Sequence, residues 1–243
     1  MVNPFLSIII PARNEVIRLP ATLDKINAFV KTQPYLAEVL IVENASTDAT
    51  LQLAQETARQ CDWLRVIHLD EGGKGLAVRT GMLAAAGEYR FICDADLSMP
   101  IEQVNRFIPP AQSPVEVAIA SREIKGAVRH GEPLYRHLVG RVFNFLVRVI
   151  LLPGLNDTQC GFKCFRGDVA RKVFTRQTIN GWSFDAEALL IARELGYRIT
   201  EIPIDWYFSP YSRVHLVRDS ARMALDLLAI RRQARQGRYG DQV

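Results

Sequence analysis

The chain has 243 residues, 49% of them apolar, and a formal charge of +4. That length supports one large core or at most two small ones. No apolar run reaches the roughly 18 residues of a membrane span. The opening "MVNPFLSIIIPARNE" has no basic start and breaks at Pro11, so no signal peptide is expected. The mild positive charge leaves a nucleic acid, a phosphate-bearing substrate or an anionic membrane surface as compatible partners. Cys61, Cys93, Cys160 and Cys164 include no CxxC spacing, and no histidine pair stands at zinc spacing. Reduced thiols and a cytoplasmic location are expected, with Cys93 a core residue inside its apolar run.

In chain order, "LSIIIPA" (6–12) reads as a buried strand. Residues from about Val16 to Thr32 read as a helix with Leu19, Leu23, Ile26 and Val30 on one face. "EVLIVEN" (38–44) is a second strand, and "DATLQLAQETARQ" a helix that Ser46 or Asp48 can cap. "LRVIHL" (64–69) is a third strand, "GLAVRTGMLAAA" a helix and "YRFICDA" a fourth strand. "VEVAIASR" (115–122) adds a strand ending in Arg122. The helix from about Leu134 to Leu152 repeats apolar residues turn by turn at Leu138, Val142, Phe145, Leu146 and Val149. It reads either as a core element or as a helix lying on a membrane surface. "DTQCGFKCFRGDVARKVF" is a loop, a short strand and a helix, and "FDAEALLIARELG" a helix stopped by Gly196. "RITEIPIDW" (198–206) is a strand, and "LVRDSARMALDLLAIRRQAR" an amphipathic helix with a basic end. Strands alternating with helices predict an α/β fold, a Rossmann-like, mostly parallel sheet with helices on both faces. Ligands then bind outside the carboxyl ends of the strands.

Each of the first four strands ends in polar residues: "PARNE", "ENAST", "DEGGKG" and "DADLS". Asn14, Glu15, Glu43, Asn44, Lys74 and Asp94 then lie along one edge, as hydrogen-bonding types suited to a nucleotide. In extended backbone, side chains two apart point the same way, so Asp94 and Asp96 are expected to face one point past the fourth strand. Two carboxylates there repel unless a cation or proton lies between them. A hard divalent cation, Mg²⁺ or Mn²⁺, shared with phosphate oxygens resolves the conflict. The alternative is an Asx turn or a cap at Asp96 or Ser98, ahead of a helix begun at "PIEQV". "EGGKGLAVRTG" is neither a P-loop nor a dinucleotide fingerprint. Its Gly72, Gly73 and Gly75 beside Lys74 make either a diphosphate contact at a helix start or an ordinary turn. Asp185 and Glu187, at the start of a helix, either orient arginines or complement the helix dipole.

The succession "SIIIPARNE", "VENAST", "GGKGLAVRTGM", "DADLS", "ASR", "DTQCGFKCF", "WSFDAEALLIARELG" and "SRVHLVRDSARMALDLLAIR" resembles glycosyltransferase family 2. Within it the chain is most similar to the dolichyl-phosphate β-glucosyltransferases and next to the dolichyl-phosphate mannose synthases, from Ser7 to about Arg232. The resemblance implies one GT-A catalytic domain over residues 1–243, with a nucleotide-sugar half to about residue 122 and an acceptor half beyond. It implies metal-dependent, inverting transfer of a hexose, glucose before others, from a nucleotide-diphosphate sugar to a polyprenyl phosphate. UDP-glucose is the favoured donor and GDP-mannose a possible one. The chain would work peripherally on the cytoplasmic face of a membrane, without nucleic acid and without the helical membrane domain that some relatives append. The basic tail "IRRQARQGR" suits such a surface.

Carried over by position, Pro11, Ala12, Asn14, Glu15, Glu43 and Asn44 line the base and ribose pocket, with Lys74 and Gly75 beside the diphosphate. Asp94, Ala95 and Asp96 hold the donor, the two aspartates taking Mg²⁺ or Mn²⁺. With Arg122, these aspartates form the catalytic set. Arg122, Arg136, Lys163 and Arg213 contact the acceptor phosphate. The family pattern carries two aspartates and a glycine where this chain has Glu43, Asn44 and Ala45, which opens the choice of base. Mannose synthases tend to carry an arginine near Tyr207 and a glycine before a Ser-Lys pair, where this chain has "SPYSR". The rival readings are a family 2 enzyme with a sugar or glycan acceptor and a non-catalytic nucleotide-sugar-binding module.

Overall fold

A computed structural model describes residues 3–209 and 216–240. The strands are β1 (Leu6–Ala12), β2 (Ala37–Asn44), β3 (Leu64–Leu69), β4 (Tyr89–Ile92), β5 (Val117–Ser121), β6 (Val128–His130), β7 (Lys163–Arg166), β8 (Ile199–Pro203) and β9 (Asp205–Tyr207). Seven form one sheet in the order β3-β2-β1-β4-β7-β5-β8, while β6 and β9 make a separate parallel ribbon. The sheet is mostly parallel, as the alternation predicts. The exception is β7, which runs antiparallel between β4 and β5.

The β-branched runs are buried on both faces, the pattern of a parallel sheet covered on two sides. On β1, Leu6, Ile8 and Ile10 join one core, and Ile9 the other. The first core holds α1 (Leu19–Thr32), α2 (Thr50–Ala58) and a 3-10 helix at Ile101–Phe107. The second holds α3 (Lys74–Ala84), α5 (Gly167–Arg176), α6 (Phe184–Glu194) and α7 (Leu216–Arg235). Cys93, Cys160 and Cys164 are buried, and all four thiols are free. Chain order runs β1-β2-β3 outward in one direction, then places β4 on the other side of β1. Ligand crevices form at such a reversal, here past the carboxyl ends of β1 and β4.

Several boundaries differ from expectation. The first helix starts at Leu19, because the Arg18 and Leu19 amides close a turn on the Glu15 carbonyl. The fourth strand ends at Ile92 rather than Ala95, since the Leu97 amide bonds to the Asp94 carbonyl at 3.2 Å. The aspartates thus sit on a turn, not on extended backbone. The expected strand at 198–206 splits after Pro203, and its second part pairs with β6.

The helix expected from Leu134 is α4 (Leu134–Ile150), and only Asn144 and Val147 of it are buried. Its apolar repeat faces outward: Leu138 is 64% exposed, Val142 55%, Phe145 61% and Val149 63%. Of the two readings of this helix, the core element is the one the structure overturns.

Candidate active site

Three strand ends are held in a left-handed backbone conformation. Among the described residues, the non-glycine positions with positive φ are Asn14 (+52°), Ala45 (+52°) and Leu97 (+46°), after β1, β2 and β4. Such conformations cost about 1 kcal/mol or more and persist where surrounding contacts impose them. Here those contacts run between strand ends. The Asn14 amide donates to Ser46 Oγ at 2.9 Å, and the Thr47 amide to Asn14 Oδ1 at 2.7 Å. The Glu15 amide reaches Thr50 Oγ1, and Asp48, one of the two expected caps, accepts the Thr50 amide. Ala45 takes, with a Cβ, the conformation that glycine adopts freely at the family's glycine position.

Glu43 and Asn44 are almost fully buried and engaged with the chain itself. Glu43 accepts the Ser46 amide at 2.6 Å and meets His68 Nδ1 at 2.5 Å. Asn44 donates to the Ala12 carbonyl at 3.0 Å and accepts the Gly73 amide at 3.1 Å. The His68 imidazole is raised above its ordinary pKa by the Glu43 hydrogen bond. His68 escapes sequence inspection, since a lone histidine on a strand carries no signal; only the β2–β3 register pairs it with Glu43.

Past β4, Asp94 and Asp96 meet two cations. Lys74 Nζ lies 2.6 Å from Asp94 Oδ1, and Arg18 Nη1 lies 3.9 Å from Asp96 Oδ2. Arg18 is fixed by a fork onto Glu15, with Nε to Oε2 at 2.7 Å and Nη2 to Oε1 at 2.5 Å. Burial opposes the Lys74 charge, but Asp94, Asp185 and Asp96 outweigh it and raise the ammonium above its ordinary pKa. Asp96 also accepts the Ser98 amide at 3.0 Å, so the expected Asx turn is present beside the cations. The Thr22 hydroxyl donates to the Ala95 carbonyl at 2.6 Å, tying the turn to α1. Arg18 follows "PARNE" by three residues, and nothing in that spacing links it to Asp96.

Among the described residues no group of three or more His, Cys, Asp or Glu gathers as a metal site. Two carboxylates that take further ligands from phosphate oxygens are nonetheless the usual set for Mg²⁺, and Asp94 and Asp96 supply such a pair of hard oxygen donors.

Gly161 stands against this pair, because a Cβ there would overlap the Asp94 carboxylate. Gly161→Ala is expected to displace Asp94 and cut turnover at least tenfold, about 1.4 kcal/mol at the transition state. The melting temperature should change little; normal kinetics in a folded variant would count against the placement of Asp94.

The glycine-rich loop resolves toward packing. The Gly75 and Leu76 amides donate to the Asn180 carbonyl at 2.9 and 3.3 Å. A Cβ on Gly75 would overlap the Ile179 carbonyl. The start of α3 is therefore capped by residues 179–181, and Lys74 remains its contribution to the site. The same loop is held by Glu187, which accepts the Thr178 and Ile179 amides and the Tyr239 hydroxyl. It carries Trp182, whose ring lies 5.5 Å from Lys74 Nζ.

The residues expected at the acceptor divide. Arg122 closes β5 and forks onto buried Asp157, with Nε to Oδ2 at 2.7 Å and Nη2 to Oδ1 at 3.0 Å. Burial opposes the Arg122 charge, yet Asp157 outweighs it and makes the guanidinium more basic than usual. Burial likewise opposes Asp157 ionisation, but Arg122 prevails and lowers the carboxyl to about 2. Trp206 lies 5.4 Å from Arg122 and 5.8 Å from Arg129. Arg136 lies 5.3 Å from the Phe208 ring, with its Nε buried and without a hydrogen-bond partner among the described residues.

Lys163 is 1% exposed and bonds to Asp185 Oδ1 at 2.6 Å and to the Cys160 carbonyl. It lies in the interior behind Lys74 and Asp94, which corrects its expected place at the acceptor. Burial raises the Asp185 carboxyl above its usual range, and Lys163 and Lys74 only partly offset this. Asp185 therefore orients lysines rather than arginines, and Glu187 secures a loop. Arg213 lies outside the described residues.

Residues 7–174 match the family pattern described as glycosyl transferase family 2. The chain belongs to glycosyltransferase family 2. It is 30% identical to a dolichyl-phosphate beta-glucosyltransferase of Dictyostelium discoideum, over 94% of this chain and 74% of that one. It is 34% identical to the enzyme of that name from Drosophila melanogaster, over 83% and 66%. Among solved structures it resembles mannosyl-3-phosphoglycerate synthase from Rubrobacter xylanophilus, with a TM-score of 0.69, 20% identity and coverage of 99% and 77%. It also resembles glucosyl-3-phosphoglycerate synthase from Mycobacterium tuberculosis, crystallised with Mn²⁺, UDP-glucose and phosphoglyceric acid. There the TM-score is 0.65, with 17% identity over 96% and 80% of the chains. The family 2 chain thus has the GT-A fold and is a hexosyltransferase.

Proposed function

We propose that this family 2 enzyme moves glucose from UDP-glucose to a polyprenyl phosphate of the dolichyl type at a membrane surface, with inversion at the anomeric carbon. The observation that carries this reading is the Asp94–Asp96 turn at the β1/β4 crevice, flanked by Lys74 and Arg18. The names of the dolichyl-phosphate relatives support the acceptor, and the UDP-glucose complex of a structural neighbour supports the donor. Residues up to about Arg122 form the donor half and those beyond it the acceptor half.

In this reading the ends of β1 and β2 receive the base and ribose, and the Asp94–Asp96 turn receives the diphosphate. Asp94 and Asp96 hold Mg²⁺ or Mn²⁺, which when bound supplies Lewis-acid stabilisation of the leaving nucleoside diphosphate. Lys74 and Arg18 add fixed positive charge without reorganising at the moment of transfer. The acceptor is a phosphomonoester with a second pKa near 6, mostly dianionic at neutral pH, so it attacks without a general base. It needs cations that hold one oxygen in line. Arg122, locked by Asp157, and Arg136 beside Phe208 fit that task. A single in-line displacement converts an α-linked donor into a β-linked lipid phosphosugar.

Membrane contact on the cytoplasmic face is assigned to the outward apolar side of α4, joined by exposed Leu225 and Leu228 of α7. No described helix is long and apolar enough to cross a membrane.

UDP- and GDP-sugars offered with a short polyprenyl phosphate and Mn²⁺ or Mg²⁺ test the assignment. Glucose transfer from UDP-glucose, giving a β-linked product, is expected. An α-linked product overturns inversion, and turnover on a free sugar but not on the lipid phosphate overturns the acceptor.

A further inference from the structure

At the end of α6 remote from Asp185, a cavity of about 300 Å³ opens between α4, α6 and α7. Its walls combine apolar side chains, Ile150 and Leu190 among them, with Arg193, Arg231, Arg235 and one acid, Glu194. Three arginines and one glutamate leave two net positive charges on the lining. Arg193 is held in place by the carbonyls of Leu151 and Pro153. At about 1.5 Å of rise per residue, Glu194 lies roughly 14 Å from Asp185, so the cavity is separate from the crevice.

The cavity adjoins the apolar surface assigned to the membrane. On α4, Leu134, Leu138, Val142, Phe145 and Val149 recur at helical spacing and are all exposed, with Arg141 and Arg148 alongside. Val149 is the neighbour of Ile150 in the cavity wall. On α7, exposed Leu228 stands one turn before Arg231. Apolar residues with a cationic border match a bilayer interface that carries negative headgroups. Guanidinium forks suit phosphate oxygens, and apolar walls suit the first carbons below them.

We propose that this cavity binds the phosphate of an anionic membrane phospholipid while the α4–α7 apolar surface lies in the bilayer interface. The proposal rests on the membrane reading above and adds which lipids the surface selects. The lipid held here is a bystander, because the acceptor's own phosphate must reach the Asp94 crevice.

Co-sedimentation of the full chain with phosphatidylcholine vesicles, with and without phosphatidylglycerol, tests it. Native protein is expected to prefer the anionic vesicles. Removing two arginines in Arg231→Gln/Arg235→Gln should weaken that binding about thirtyfold, because two charge-assisted contacts to the held phosphate are lost. Arg232→Gln/Arg238→Gln removes equal charge outside the cavity and should cost at most about threefold, by surface screening. Equal losses in the two pairs overturn the site in favour of diffuse charge. Phe145→Asp/Val149→Asp should abolish binding. If it does while Arg231→Gln/Arg235→Gln binds like the native chain, the cavity fails and the membrane reading stands. Failure of the native chain to bind either vesicle overturns both. Turnover of Arg231→Gln/Arg235→Gln on a detergent-solubilised short acceptor should equal the native value, and a loss there also overturns the site.

Discussion

Asp96→Asn lowers hexose transfer at least a hundredfold while the protein melts within a few degrees of the native chain. The asparagine keeps the shape of the turn, because its Oδ1 can accept the Ser98 amide that Asp96 Oδ1 accepts at 3.0 Å. What it removes is a charge aimed into the crevice, where Arg18 Nη1 stands 3.9 Å away. A hundredfold loss corresponds to about 2.7 kcal/mol of transition-state stabilisation, the scale of one preorganised electrostatic contact. Asp96 is a cleaner probe than Asp94, whose loss also strips Lys74 of its 2.6 Å partner. Undiminished turnover in Asp96→Asn, measured at saturating Mn²⁺ and donor, would falsify the metal and diphosphate assignment.

Asp157→Asn destabilises the protein by about 3–5 kcal/mol, because it leaves the Arg122 guanidinium buried and unneutralised. The carboxylate also accepts the Arg122 and Gln159 amides, so several bonds weaken together. Asp157 sits in a loop that Asn144 of α4 and Glu201 of β8 hold through Thr158 and the 156–157 amides. The pH dependence follows from the lowered carboxyl. Asp157 titrates at about 2 when folded, against an ordinary 3.8. Its contribution is therefore complete above about pH 5 and disappears as the pH falls towards 2. Urea unfolding from pH 7 to pH 2.5 should show a loss of stability across that window in the native chain and a shallower one in Asp157→Asn. Parallel curves in the two proteins would argue that Arg122 finds its counter-charge elsewhere.

The strands of the first half were legible to within a residue or two at β1, β2 and β3, because buried β-branched runs and polar ends are local signals. The fourth strand was read too long. Cys93 continues its apolar run and Ala95 follows after one aspartate, but the Asp94 carbonyl closes a turn with Leu97. Lys163 shows a related effect: a lysine near "DTQCGF" gives no sign that β7 carries it into the sheet interior to meet Asp185. Asp157, Arg18, His68 and Trp182 went unassigned because each acquires its role from a residue far along the chain or on another element.

The sequence by itself determined the alternation of strands and helices, the polar strand ends and the family. Periodicity and spacing are properties of neighbours along the chain, and they fix which side chains can share a face. Tertiary structure alone decided which polar groups face the crevice and which neutralise one another in the interior. It also turned the apolar repeat of α4 outward, since only Asn144 and Val147 found a buried place against the rest of the fold. A periodic pattern states that a helix has an apolar face, whereas the surfaces left uncovered by the packed chain decide whether that face meets protein or a membrane.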